Sequence, residues 1–96
     1  ALELCHREAV DALNAGTRWH YGYLAVFQQD FPALLAQVRC PILMMCGPRD
    51  TLWRWFPAAR AARPDAVSIE LPGGLYVCDE YPAVVAEHLA RFIASR

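Results

Sequence analysis

Residues 40–50, "CPILMMCGPRD", form a continuous apolar run, opened by a proline, closed by Gly47-Pro48 and ending on an acid. A short run without alternation, bounded by turn residues, predicts a strand over 41–47 that is buried on both faces, as in parallel sheets. "TLWRWFPAARAARP", 51–64, follows as helix, with Thr51 near its start and Pro64 just past its end; Pro57 divides it into two short helices. "AVSIELP", 66–72, reads as a second short strand. After the loop "LPGGLYVCDEYP", 71–82, Pro82 opens a last helix in which Val85, Leu89, Phe92 and Ile93 form one apolar stripe. Strand, helix, strand, helix is an α/β order, and a helical crossover implies a parallel pair.

Upstream of this run no strand is expected. "LELCHREAVDALNA", 2–15, places Leu2, Cys5, Ala9, Ala12 and Leu13 on one helical face, and Gly16 suits its end. Thr17 can cap a second, aromatic-rich helix in "TRWHYGYLAVFQQDF", which Gly22 weakens. "PALLAQV" reads as a short helix begun by Pro32. Two parallel strands do not make a stable sheet alone, so the expected architecture is one end of a larger sheet preceded by a helical segment.

The 96 residues allow one domain at most, and their 56% apolar share exceeds that of an ordinary soluble domain, so part of the surface is expected to be covered by more chain or by a partner. The net charge is −1 and all nine basic residues are arginine, which offers no basic field for nucleic acid and no polybasic run for an acidic membrane. No signal peptide or bilayer-length apolar run is read. Cys5, Cys40, Cys46 and Cys78 form no C-x-x-C pair, so zinc and thioredoxin-like readings lack support, and reduced, mostly buried thiols in a cytoplasmic protein are expected. No metal or cofactor is expected.

From Arg39 onward the chain resembles the C-terminal end of the α/β-hydrolase fold. The stretches that carry the resemblance are "CPILMMCGPRDTLW", "ARPDAVSIELPGG" and "DEYPAVVAEHLARFI", in that order and spacing. The resemblance implies an α/β architecture: residues 39–96 as the C-terminal part of a parallel sheet, two strands with flanking helices, and residues 1–38 as the end of a cap or lid. It also implies that Asp50, in Gly47-Pro48-Arg49-Asp50, holds the position of the triad acid, which orients an imidazole and stabilises its charged form. Asp50 equally suits a cap for the helix beginning near Thr51, and the two roles are compatible. The base would stand just after Gly73-Gly74. That position holds Leu75, which cannot transfer a proton, and Tyr76, one residue on, is a poor base near neutral pH.

The other histidines, His6, His20 and His88, are read as ordinary packed or surface groups, although His20 in "RWHYGY" could line a pocket. No G-x-S-x-G elbow is present, and the only serines are Ser68, within a strand, and Ser95, near the end. Cys78 is a poor substitute nucleophile, because Asp79 and Glu80 beside it disfavour a thiolate. Trp53, Trp55, His20 and Tyr76 are candidates to line an apolar substrate pocket, with core packing as the alternative for the aromatic rings.

The resemblance implies a hydrolase of ester-like bonds in an apolar small molecule, with the nucleophile upstream and this chain inactive by itself. A non-catalytic binding or interaction module of the same fold is the alternative. A third reading is a free-standing small α/β domain that associates with itself to cover its sheet, whereas under the first reading the chain packs against the missing N-terminal part.

Overall fold

The computed structural model describes residues 2–95. They fall into two compact units that divide between Phe31 and Pro32. The first contains α1 (Leu2–Ala15), a 3₁₀ turn (Gly16–Arg18) and α2 (Tyr21–Gln28). Helix α1 ends where expected, at Gly16, whose φ of +61° is a left-handed conformation that glycine adopts without steric cost. Thr17 does not cap α2: it lies inside the 3₁₀ turn, and α2 starts at Tyr21 without a side-chain cap. The apolar face foreseen on α1 is present as a helix face but is not buried. Leu2 is 88% exposed and Phe27 on α2 79% exposed, because two short helices have too little surface between them to form a core.

The second unit begins in α3 (Phe31–Gln37), continues through β1 (Leu43–Cys46), a 3₁₀ turn (Trp53–Trp55), α4 (Phe56–Ala62), β2 (Val67–Glu70) and the one-turn α5 (Val77–Glu80), and closes with α6 (Pro82–Ser95). The two strands form a parallel sheet in the register Leu43↔Val67 to Cys46↔Glu70, joined by the expected helical crossover. The chain is thus mixed helix and strand with a two-stranded parallel sheet. Pro57 divides the crossover as foreseen, because it stands at the first turn of α4, where its missing N–H costs nothing.

The core is small. Cys46 at the end of β1, Phe56 on α4, Leu71 just beyond β2 and Val85 on α6 are buried. Each apolar side chain of this kind contributes roughly 1.5–3 kcal/mol when fully removed from water. Strand β1 was expected to be buried on both faces, but Leu43, Met44 and Met45 reach only intermediate burial. The α6 stripe is likewise incomplete: Val85 is buried and Phe92 partly so, whereas Leu89 and Ile93 remain exposed.

Arg63 draws α3 into this unit. Its Nη1 donates to the carbonyls of Leu35 and Val38 at 2.7 and 2.8 Å, and its Nε and Nη2 donate to the two carboxylate oxygens of Asp65 at 2.9 and 2.7 Å. The guanidinium therefore binds two carbonyls at and just beyond the end of α3, where a cation also meets the negative end of the helix dipole. The two compact units divide between Phe31 and Pro32.

The thiols depart from expectation. Cys46 is buried, but Cys5, Cys40 and Cys78 are exposed. Cys5 lies on a helix with no buried residue, and Cys40 and Cys78 fall outside the small core. No helix among the described residues is long and apolar enough to cross a membrane.

Candidate functional site

Two loops leave the same end of the sheet and are stitched together there. Arg49 and Gly74 form a parallel bridge beyond the named strands, and the Arg49 N–H donates to the Gly73 carbonyl at 3.1 Å. One residue beyond the bridge stand Asp50 on the first loop and Leu75 on the second. The two positions singled out by the resemblance thus each follow a bridged residue at the carboxyl end of a parallel pair, where ligands of α/β sheets gather.

Glycines permit the close approach. A Cβ on Gly47 would lie 2.4 Å from the Gly73 oxygen, and one on Gly74 would lie 2.9 Å from the Arg49 oxygen. Gly73 has φ +86°, and a side chain there would also meet the Tyr81 ring at 3.0 Å. The sequence Gly47-Pro48-Arg49-Asp50 closes as a turn, with the Asp50 N–H donating to the Gly47 carbonyl at 3.0 Å.

Asp50 is half-buried, and its Oδ1 accepts the Leu52 N–H at 2.8 Å. This local side-chain turn leads into the Trp53–Trp55 turn, whose N-cap is Leu52 without a side-chain cap bond. Only one of the carboxylate oxygens is engaged in that bond. The carboxylate also acts on Cys46: burial first, then the negative charge of Asp50, pushes that thiol up, against a smaller lowering effect of the Gly47 backbone.

Leu75 is 58% exposed, so its side chain is not packed into a pocket of this unit. Tyr76 precedes α5, and its carbonyl accepts the N–H groups of Asp79 and Glu80 at 2.9 and 3.0 Å. The loop thus contains one turn of helix, which its glycines and prolines do not signal in sequence. Trp53 packs against Phe56 with ring centroids 5.7 Å apart, and the Arg54 guanidinium lies 4.3 Å over the Trp55 ring. His20 belongs to the first unit, edge-on to Trp19 and Tyr21.

An open hollow in the first unit is lined by Ala12, Leu13, Gly16 and Trp19. One in the second lies between Val67, Ser68 and Ile69 of β2 and His88, Arg91, Phe92 and Ser95 of α6. Neither takes in Trp53, Trp55, Tyr76 or His20. Among the described residues no group of three His, Cys, Asp or Glu side chains comes together to hold a metal.

Sequence reading passed over Arg63. The available signal was Arg63-Pro64-Asp65, an acid two residues after a base across a proline, read only as a helix stop. Asp65 raises the Arg63 pKa through their hydrogen bond, and that bond holds the Asp65 carboxyl below the usual carboxylate range. Comparison with protein families, with curated proteins and with solved structures finds no match to this chain.

Proposed function

We propose that this chain is the C-terminal portion of an α/β-hydrolase-like protein that acts on an ester-like bond of an apolar small molecule, and that it supplies the acid but not the base of the proton-transfer pair. The observation that supports this reading is the Arg49–Gly74 bridge, which joins the residues immediately before Asp50 and Leu75 at the carboxyl end of the parallel pair. An imidazole at position 75 would stand next to a carboxylate, as a general base requires. With leucine there, the loop geometry is kept and proton transfer is lost. The nucleophile would come from chain outside these residues.

The exposed Leu75 also favours a second reading, a binding module of the same fold that presents an apolar residue where the base would be.

The geometry is tested in the 96-residue chain by Leu75→His, following the new imidazole by NMR titration. Its pKa should lie above the ordinary value of about 6.5, and adding Asp50→Asn should remove the rise. Titration that is indifferent to Asp50 overturns the paired arrangement. In a full polypeptide carrying this segment, Leu75→His should produce ester turnover that depends on Asp50. Failure there, with the pKa coupling intact, leaves the binding module.

A further inference from the structure

We propose that the outer edge of β2 and the facing wall of α6 form a docking groove for an extended, acidic peptide, which adds to the sheet as a strand beside β2. This proposal stands independently of the hydrolase-like reading.

In a parallel ladder, alternate residues of a strand turn both N–H and C=O toward the same neighbour. The Val67 N–H donates to the Ile42 carbonyl at 3.0 Å and the Leu71 N–H to the Cys46 carbonyl at 2.8 Å. The odd-numbered residues of β2 are therefore committed to β1. Ser68 and Glu70 turn their main-chain groups the other way, where the sheet ends among the described residues. A sheet edge of this kind is a template for another strand, whose main chain supplies affinity and whose alternate side chains supply selectivity.

The open hollow along this edge, between β2 and α6, selects the occupant. Val67, 46% exposed, and the half-buried Phe92 offer apolar contact for one side chain of the incoming strand. The polar side chains of the wall are His88, Arg91 and the two serines, with no carboxylate among the lining residues. Arg91 is 71% exposed and pairs with Glu87 one turn earlier. An exposed pair of this type is weak, and a guanidinium has five N–H donors, so Arg91 can also receive an acidic side chain from the peptide. Glu70, on the same edge but outside the hollow, is within 3.6 Å of Arg60. The charge in the groove thus favours an acidic, apolar strand over a basic one.

The test uses the peptide acetyl-Thr-Val-Glu-Val-Thr-amide and the isotope-labelled 96-residue chain. Binding should shift the amide signals of Ser68 and Glu70 and slow their solvent exchange. Ser68→Pro removes one outward donor while leaving the donors to β1, and should weaken binding about tenfold; Ser68→Ala should not. Arg91→Ala, or lysine in place of the peptide's glutamate, should also weaken it. Methylating the peptide's own amides at alternate positions tests the mode without altering the protein: one alternate set should abolish binding and the other should preserve it. Equal binding by both sets, shifts confined to other surfaces, or a second copy of the chain occupying β2 in place of the peptide overturns the proposal.

Discussion

The α-carbon of Gly47 stands so close to the carbonyl of Gly73 that a methyl group placed on it would lie 2.4 Å from that oxygen. The obstacle is backbone, which cannot rotate away as a side-chain end would. Gly47→Ala must therefore push the Asp50 loop away from the Leu75 loop and strain the Arg49–Gly74 bridge. A loss of about 3 kcal/mol in urea unfolding is expected, at the upper end for overpacking. Gly22→Ala is the control: nothing lies within 4 Å of its new methyl group, and the helical content of α2 should rise. Equal effects of the two substitutions would contradict the close approach.

Stability should fall on acidification through Asp65. Its folded pKa is depressed by the Arg63 bond, so its contribution is fully present above the ordinary aspartate value of about 3.9 and is lost as the pH drops through the lower folded value. The Arg63 pKa is raised by its hydrogen bond to Asp65, so its contribution is present across neutral and acidic pH and lost only in strongly alkaline solution. Urea midpoints measured from pH 5 to pH 2 should fall less steeply in Asp65→Asn. Arg63→Ala should also speed hydrogen exchange at the Val38 amide, which donates to the Leu35 carbonyl at the end of α3.

The four thiols should divide by accessibility. A disulfide reagent should modify Cys5, Cys40 and Cys78 promptly and Cys46 slowly, because Cys46 is buried and its thiol is pushed up by burial and by Asp50. Urea should abolish the difference. Mass spectrometry showing Cys46 among the first modified would refute the packing of β1.

The chain by itself should show no ester hydrolysis above a buffer control. It lacks a nucleophile elbow and has leucine where the proton acceptor would stand. Turnover of a nitrophenyl ester that disappears in Asp50→Ala would show that another group on the chain serves as base.

The strand–helix–strand–helix order, the parallel crossover and the division at Pro57 were legible in the sequence, because each rests on local signals: the uninterrupted run 41–47, the prolines and the 3.6-residue periodicity of α6. Burial was less legible. The apolar faces of α1 and α6 and the two sides of β1 mark surfaces that favour cover, but periodicity does not state what covers them, and much of that surface remains open. Asp50 was identified as an acid with two compatible roles; only the structure displays its bond to Leu52.

What the sequence by itself determined is the type and order of the elements and the absence of a base after Gly73-Gly74. Tertiary structure alone decided that the Asp50 and Leu75 loops meet, since the Gly47–Gly73 approach and the Arg49–Gly74 bridge join segments about twenty-five residues apart in sequence. It also decided that Arg63 ties α3 to the sheet-bearing unit. Both depend on chain closure across space, and closure is set by which backbones can come within hydrogen-bonding distance, a property that no single local pattern encodes.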